Sequence, residues 1–500
     1  MARFALIQNL YTENLGLMSV SAYLQYAGHE ARIFIDSRGI NAFSEVEKYN
    51  PQTLGFSCTT GMHHRAIYFA HHYKQAHPGT ISLFGGPHPT FYPEMVNHPD
   101  VDYVCIGEGE EAANELGKAL DGEGDSTKIQ NLWIHKNGYI IKNPVRPLIE
   151  NLDCLPWPDR TYYDRYPQAK RETSKNFMAG RGCAYKCNFC ANHTLMKLYH
   201  GKGKWVRFRS AENVIEEIKF VKNHYPLRFV GFSDDILIIN RNWLYPFLNL
   251  YKKEIGLPFL STVRANLVDE ELVVALKEAG CISTVFGVES GVERIRNNEL
   301  AKGVKDEHIY EAARLFHKHK IQFGTYNMVG LPGETLEDTV RTVKMNAEIH
   351  PDFPWCSILQ PYPGTEVRDR IKKRHGEILP VEEISGSYFT DSVINHKDIR
   401  AMANLQKFFH LAVRFPFLQP IIFQLIKLPP NPVFQFIYNS CYAWQLMKRS
   451  RIKLLTLLKY ALVSRNLFSK EKVIGRAPAK YMTGEPLPIL KAISHPEDPF

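Results

Sequence analysis

Three cysteines, Cys183, Cys187 and Cys190, carry the spacing Cys-x3-Cys-x2-Cys in the stretch Arg181-Gly182-Cys183-Ala184-Tyr185-Lys186-Cys187-Asn188-Phe189-Cys190. Protein iron–sulfur clusters are held by thiolates, usually four, so three in one compact loop leave one iron of a 4Fe-4S cluster with an exchangeable position. A Cys3His zinc site is the competing chemistry, because His193 follows Cys190 by three residues. Zinc knuckles favour paired Cys-x2-Cys units on small folds, whereas this loop opens a long series of strands and helices. The other six cysteines, Cys58, Cys105, Cys154, Cys281, Cys356 and Cys441, are scattered and read as small buried apolar residues. An odd total of nine fits reduced thiols with one metal-binding group better than disulfides.

Such a loop must be positioned by the series around it. A strand at 176–180 runs directly into the cysteines. Apolar runs at 229–233, 259–263, 283–288, 322–328 and 356–360 then alternate with helical patterns at 211–224, 269–279, 306–319 and 335–348. Six strands over 171–385 predict a partial (βα)6 TIM-like barrel with its active site at the strand carboxyl ends. Polar residues gather at those ends: Asp234 and Asp235, Arg264 and Asn266, Glu289 and Ser290, and the runs 330–334 and 362–366. Taken singly, an Asp pair or an arginine is a solvated cap or a surface ion pair.

Residues 1–125 show the same alternation, with strands at 4–7, 32–35, 53–56, 81–84 and 103–106. This predicts an α/β doubly wound parallel sheet that binds ligands at its carboxyl edge. The loops on that edge are Ser57-Cys58-Thr59-Thr60-Gly61, Gly85-Gly86-Pro87-His88-Pro89 and Gly107-Glu108-Gly109-Glu110. Glycines there permit close backbone approach to a bulky ligand, and hydroxyls and N–H groups can bond its polar rim. Ser57, Thr59, Gly85, Gly86, His88, Gly107, Glu108 and Gly109 are the candidate contacts. One such loop is ordinary turn chemistry, but three on one edge point to a ligand. Residues 126–170, with Pro144, Pro147, Pro156, Pro158 and Pro167, are expected to be a linker, and 386–500 a mainly helical basic region.

Through Gly-Gly-Pro-His-Pro-Thr and Cys-Ile-Gly-Glu-Gly-Glu, residues 1–125 resemble the cobalamin-binding domain that precedes many radical S-adenosylmethionine cores. The cysteine loop is followed by Phe-Ser-Asp-Asp, Gly-Val-Glu-Ser-Gly, Val-Gly-Leu-Pro-Gly-Glu-Thr and Tyr-Pro-Gly-Thr-Glu, in the order found in cobalamin-associated radical enzymes. This second resemblance covers 171–370. It implies a 4Fe-4S cluster on the three cysteines, S-adenosylmethionine chelating the open iron, cobalamin, and an electron donor such as flavodoxin or ferredoxin. It further implies that Asp234, Arg264, Glu289 and Ser290 contact the methionine or ribose part, with Phe189 beside the adenine.

One departure concerns the Asp-x-His-x-x-Gly motif, which supplies a histidine to cobalt in methionine-synthase-type domains. Asp306-Glu307-His308 begins that way, but Glu311 stands where glycine is required and the site lies outside the domain. Cobalt is therefore expected to lack a histidine from that motif. The resemblance implies methyl transfer to an unactivated carbon, driven by a 5'-deoxyadenosyl radical. An oxidative cyclase or rearrangement enzyme, or a non-catalytic corrinoid or cluster carrier, are the alternatives.

Hydrophobic residues at 44% and charged residues at 23% fit a globular chain. The N-terminus has no signal-peptide pattern, which places the protein in the cytoplasm by expectation. Of the net charge of +9, residues 401–475 hold eleven Lys or Arg and one acidic residue, Glu471. The uncharged stretch 428–447 contains Pro429, Pro430 and Pro432, which argue against a spanning helix. Lys448, Arg449, Arg451 and Lys453, followed by leucine pairs, suit a helix lying on the inner membrane surface, where a lipid or tetrapyrrole substrate would be met. A packed cap with a solvated basic face fits equally. Nucleic acid is disfavoured as a partner, because no RNA-binding module accompanies the charges.

Overall fold

Apolar runs flanked by amphipathic helices assemble into two parallel sheets in the computed structural model. It describes residues 1–9, 12–36, 42–376, 378, 380–384, 389 and 397–450, with 375 and 446–450 described by backbone alone. The first sheet contains β1 (Arg3–Gln8), β2 (Glu30–Ile35), β3 (Thr53–Ser57), β4 (Ile81–Gly85), β5 (Tyr103–Cys105), β6 (Leu132–Lys136) and β7 (Tyr139–Lys142), in the order β2-β1-β3-β4-β5-β6-β7. β1 to β5 run parallel. Helices cover both faces, which is why β1 is buried at five of its six residues. Strand order reverses between β1 and β3, the switch point where such sheets bind ligands.

Residues 126–170 depart from the linker expectation. β6 extends the first sheet antiparallel to β5, with Val104 opposite Trp133, and β7 pairs antiparallel with β6. Tyr162, Tyr163, Tyr166 and Ala169 pack into the core of the same sheet. The prolines stop helix growth, yet Leu132, Ile134 and the tyrosines still bury apolar area beside β5.

The second sheet contains β8 (Ser174–Phe177), followed after a separate ribbon of β9 (Gly180–Arg181) and β10 (Arg207–Phe208) by β11 (Phe229–Phe232), β12 (Phe259–Thr262), β13 (Cys281–Glu289), β14 (Gln322–Val329) and β15 (Phe353–Ile358). Its order is β15-β14-β13-β12-β11-β8, parallel throughout, as a (βα)6 open barrel requires. Helices Ala211–His224, Arg241–Glu254, Glu270–Glu278 and Leu336–Ile349 start at Ser210, Asn240, Asp269 and Thr335, whose side chains accept backbone N–H bonds. The strand expected at 176–180 divides into β8 and β9. The Asp234 carboxylate accepts the Ala179 and Gly180 N–H groups at 3.1 and 2.6 Å and draws them out of the sheet.

Helix Ile399–Arg414 closes the β15 side. Met402, Leu405, Phe408 and Phe409 pack on Val329, Val343 and Ile358, and Gln406 donates to the Cys356 carbonyl at 3.1 Å. Helices Gln419–Leu425 and Pro432–Ser450 follow. Among the described residues no helix is long and apolar enough to cross a membrane. The Lys448 and Arg449 side chains, and all of Arg451 and Lys453, lie outside the described residues.

His88 stacks on His63 with centroids 3.7 Å apart, and His64 lies 3.9 Å from His63. Burial holds His63 far below its ordinary value and brings His88 down to about 3. In the unfolded chain both bind a proton below about pH 6.5; in the fold they stay neutral. Their contribution to stability is therefore complete above that pH and falls by about 1.4 kcal/mol per histidine for each pH unit below it. Denaturant unfolding between pH 7.5 and 5.5 should show this slope, reduced in His88→Gln; an unchanged midpoint would refute it.

Candidate active site and cofactor cavity

Cys183 is separated from β9 by Gly182 alone, and Cys190 precedes helix Ala191–Leu198. Gly182, at φ +92°, turns the chain from β9 into the cysteine loop, and a Cβ there would strike the Trp205 carbonyl. The Trp205 indole donates to the Cys183 carbonyl at 3.0 Å, and the Cys190 N–H bonds the Cys187 carbonyl at 3.1 Å. All three thiols are free. Burial pushes Cys183 up to about 11 and also raises Cys190, with the neighbouring cysteines adding to both shifts. Such thiols become thiolate ligands only when a cationic centre is bound.

Among the described residues, no three His, Cys, Asp or Glu side chains converge as one ion demands. The ligands of a four-iron cube each take a different iron, so their sulfurs stand wider apart than on one zinc. His193, which a zinc site would recruit, faces Glu366 with Nδ1 3.7 Å from Oε1.

The barrel-edge residues surround this loop. Arg264 points Nη1 at the Cys187 sulfur, 3.6 Å away, while its guanidinium lies 3.6 Å above the Tyr185 ring and Nη2 donates to the Lys302 carbonyl. Glu289, at φ +63° beside the bulge that ends β13, pairs with Lys302 at 2.7 Å. Lys302 also stands over the Phe189 ring at 5.9 Å. Burial lifts Asp234 to about 7 although it accepts the two N–H bonds that shape the approach to β9. Ser290 is fully enclosed, its Oγ accepting from the Val292 N–H at 3.3 Å. Asp235 is held by Asn192 at 2.7 Å.

A cavity of about 490 Å³ opens at the carboxyl ends of β3, β4 and β5. Ser57, Gly85, Gly86, Gly107, Glu108 and Gly109 line it, as the loop chemistry indicates. Its inner part reaches mid-strand, to Leu6, Gly55 and Leu83, an apolar slot on the switch-point side of the sheet. Two candidates lie elsewhere: Thr59 is exposed away from the lining, and His88 is buried against His63. The physical reason lies in the helical turn Pro87–Phe91: Pro87, Thr90 and Phe91 share the face that lines the cavity, and His88 is rotated off it.

The opposite wall comes from the ribbon of β9 and β10 and the helix after the cysteines, through Arg181, Ala191, Leu195, Tyr199, Trp205 and Arg207. A charged lattice joins the two. Arg181 pairs with Glu108 at 3.1 Å and Glu110 at 2.6 Å, and Arg207 pairs with Glu108 at 2.6 Å. The Tyr199 hydroxyl accepts the Glu108 N–H at 2.8 Å and occupies the space where any Cβ on Gly107 would fall. Arg181 is the one member with a local sequence signal, its place two residues before Cys183. Tyr199, Trp205 and Arg207 carry none, since their role depends on a loop roughly a hundred residues away.

The profile of the Radical SAM superfamily matches residues 178–345, and that of the B12 binding domain matches 9–117. An uncharacterized methyltransferase of Pyrococcus horikoshii is 30% identical over 329 residues, covering 64% of this chain and 70% of that protein. The chain belongs to the cobalamin-binding radical S-adenosylmethionine enzymes.

Cytidylyl-2-hydroxyethylphosphonate methyltransferase of Streptomyces wedmorensis is 24% identical, over 64% of the enzyme and 66% of that protein. The anaerobic magnesium-protoporphyrin IX monomethyl ester cyclase of Synechocystis is 25% identical, over 61% and 62%. Two solved structures share the fold at 16% identity and TM-score 0.61. One is the methyltransferase TsrM of Kitasatospora setae with cobalamin and a [4Fe-4S] cluster, aligned over 76% of the enzyme and 80% of that chain. The other is the radical enzyme OxsB with aqua-cobalamin and S-adenosylmethionine, over 95% and 78%.

The enzyme's residues fit these cofactors. Three free thiols beside the Arg264 cation suit the cluster, and an apolar slot with a glycine-lined mouth suits a corrinoid with its appended base. Among the described residues no histidine lines the cavity. The cob(II)alamin form should accordingly show an electron paramagnetic resonance spectrum without nitrogen superhyperfine splitting from a protein ligand. Resolved nitrogen splitting would contradict this.

Proposed function

We propose that the enzyme transfers a methyl group to an unactivated carbon of an apolar small molecule. The observation that carries this reading is the shared wall: Arg181 and Ala191, which flank the cysteine loop, also line the cavity. In such a site the cluster with S-adenosylmethionine supplies a radical that abstracts hydrogen, and the corrinoid supplies the methyl group.

The chain's own residues do the positioning. Arg264, Glu289 and Lys302 hold polar groups at the cluster, Phe189 offers a ring face to the adenine, and Ser57, Gly85, Gly86 and Gly107 to Gly109 bring backbone close to the corrinoid. A Cβ at Gly287 would strike the Glu289 carboxylate and Lys302 Nζ, so the glycine makes room for that pair. Tyr326 is 44% exposed and stands in register with Trp355. That aromatic edge supports an apolar substrate of the lipid or tetrapyrrole class.

A carrier would need none of the barrel-edge groups. A cyclase would use the same cofactors, and one relative bears that name. Product analysis separates these readings. With an electron donor such as flavodoxin, turnover of substrate should release 5'-deoxyadenosine and S-adenosylhomocysteine in equal amounts, because hydrogen abstraction and corrinoid remethylation each use one S-adenosylmethionine. Substrate conversion with 5'-deoxyadenosine alone would replace methyl transfer by cyclisation or rearrangement.

A further inference from the structure

We infer that helices Gln419–Leu425 and Pro432–Ser450 form a docking face for an anionic lipid bilayer. This rests on the surface of the described helices and stands apart from the reaction proposed above. Of the twelve exposed large apolar side chains among the described residues, seven lie between 415 and 444: Phe415, Phe417, Ile421, Leu428, Val433, Phe436 and Trp444. Phe417 and Phe436 are 74% and 71% exposed. Elsewhere such residues occur singly, as on any soluble surface.

Helical spacing makes the face continuous. Val433, Phe436, Ser440 and Trp444 follow i, i+3, i+7, i+11 along the outward side of Pro432–Ser450, where a solvated helix carries charges. The inward side is already used, with Phe434 against Phe408 and Tyr442 against Trp355. Exposed Phe415 and Phe417 stand just before helix Gln419–Leu425, and exposed Ile421 lies within it.

Charge selects the occupant. Between Asp398 and Glu471 the chain contains no Asp or Glu, against eleven Lys or Arg. Exposed Arg414 and Lys427 flank the apolar side chains, and seven more basic residues follow between 448 and 470. Apolar rings and leucines inserted at the acyl boundary, with cations at headgroup level, are the composition of an interfacial element. Nucleic acid would pair with the cations but give the isoleucine, valine and phenylalanine side chains no base-like role. The same face would bring an apolar, membrane-dissolved molecule within reach of the barrel.

Flotation of the full cofactor-loaded chain on vesicles tests this. It should float with phosphatidylcholine vesicles containing phosphatidylglycerol and remain behind with phosphatidylcholine alone. The triple variant Phe417→Ser, Ile421→Ser, Phe436→Ser removes only exposed side chains, so cobalamin absorbance and circular dichroism should be kept while partitioning falls about tenfold. No flotation on the anionic vesicles, or equal flotation of the variant, overturns the inference. A dimer in light scattering that the triple variant dissolves would assign the face to a second copy instead. Binding that appears only after removal of residues 451–500 would assign it to that tail. Because the readout needs no substrate, its failure is distinct from failure of the methyl-transfer reading.

Discussion

Alanine at Cys183, Cys187 or Cys190 is expected to abolish the cluster and, with it, all release of 5'-deoxyadenosine. On the proposed assignment each thiol is one of three protein ligands, and a cluster already short of a fourth cannot spare another. Anaerobic reconstitution should give about four irons per parent chain and near none in any of the three variants. The expected loss of activity is complete, because reductive cleavage of S-adenosylmethionine would take its electron from that cluster. Cobalamin should still bind, since its cavity is built from β3, β4 and β5 and from Arg181, Tyr199 and Arg207 rather than from the thiols. Retention of about one zinc per chain without iron-dependent absorption would instead favour the structural zinc site.

The second large effect is expected at Arg181. Its guanidinium is the cationic partner of Glu110, which is 3% exposed and also receives the Ser19 hydroxyl at 2.8 Å and its own backbone N–H. Desolvation opposes the Glu110 charge, yet Arg181, helped by the Ser19 hydroxyl and the backbone N–H, holds the carboxyl below its ordinary value. Arg181→Met leaves a buried carboxylate without compensation, a change that costs about 3–5 kcal/mol.

The pH dependence distinguishes this cause from a simple loss of packing. In the parent, the Glu110 contribution is present above the unfolded carboxyl value and is lost as pH falls through the lowered folded value. In the variant burial outweighs the remaining Ser19 bond and the folded value rises, so stability relative to the parent, which shares the histidine slope, should increase as pH falls. Arg181→Met combined with Glu110→Gln should recover most of the loss, whereas additive destabilisation would show that the pair is not coupled. Guanidinium unfolding of the apo chain at pH 7.5 and 5.5 provides the measurement. Because Arg181 also lines the cavity, the single variant should bind cobalamin more weakly.

Much of this enzyme is legible in its sequence because the signals are local. The cysteine spacing lies within one loop. The βα periods persist for many residues, and helix starts carry their own caps, as Ser210, Asn240, Asp269 and Thr335 do. Glycines after β3, β4 and β5 mark the cavity mouth because positive φ and close approach are properties of single residues: Gly86 and Gly107 stand at φ +92° and +79°.

Tertiary structure decided what depends on distant partners. β6 and β7 have unremarkable composition and become strands only because β5 offers an open edge. His88 sits in the right loop, but the turn begun at Pro87 rotates it onto His63. Arg207, Tyr199 and Trp205 become cavity wall only when the ribbon of β9 and β10 meets the loop after β5. A carboxylate and a guanidinium far apart in sequence reveal nothing of each other until folding removes the water between them, and it is that desolvation which makes Arg181, Glu108 and Glu110 the joint between the cysteine loop and the cavity.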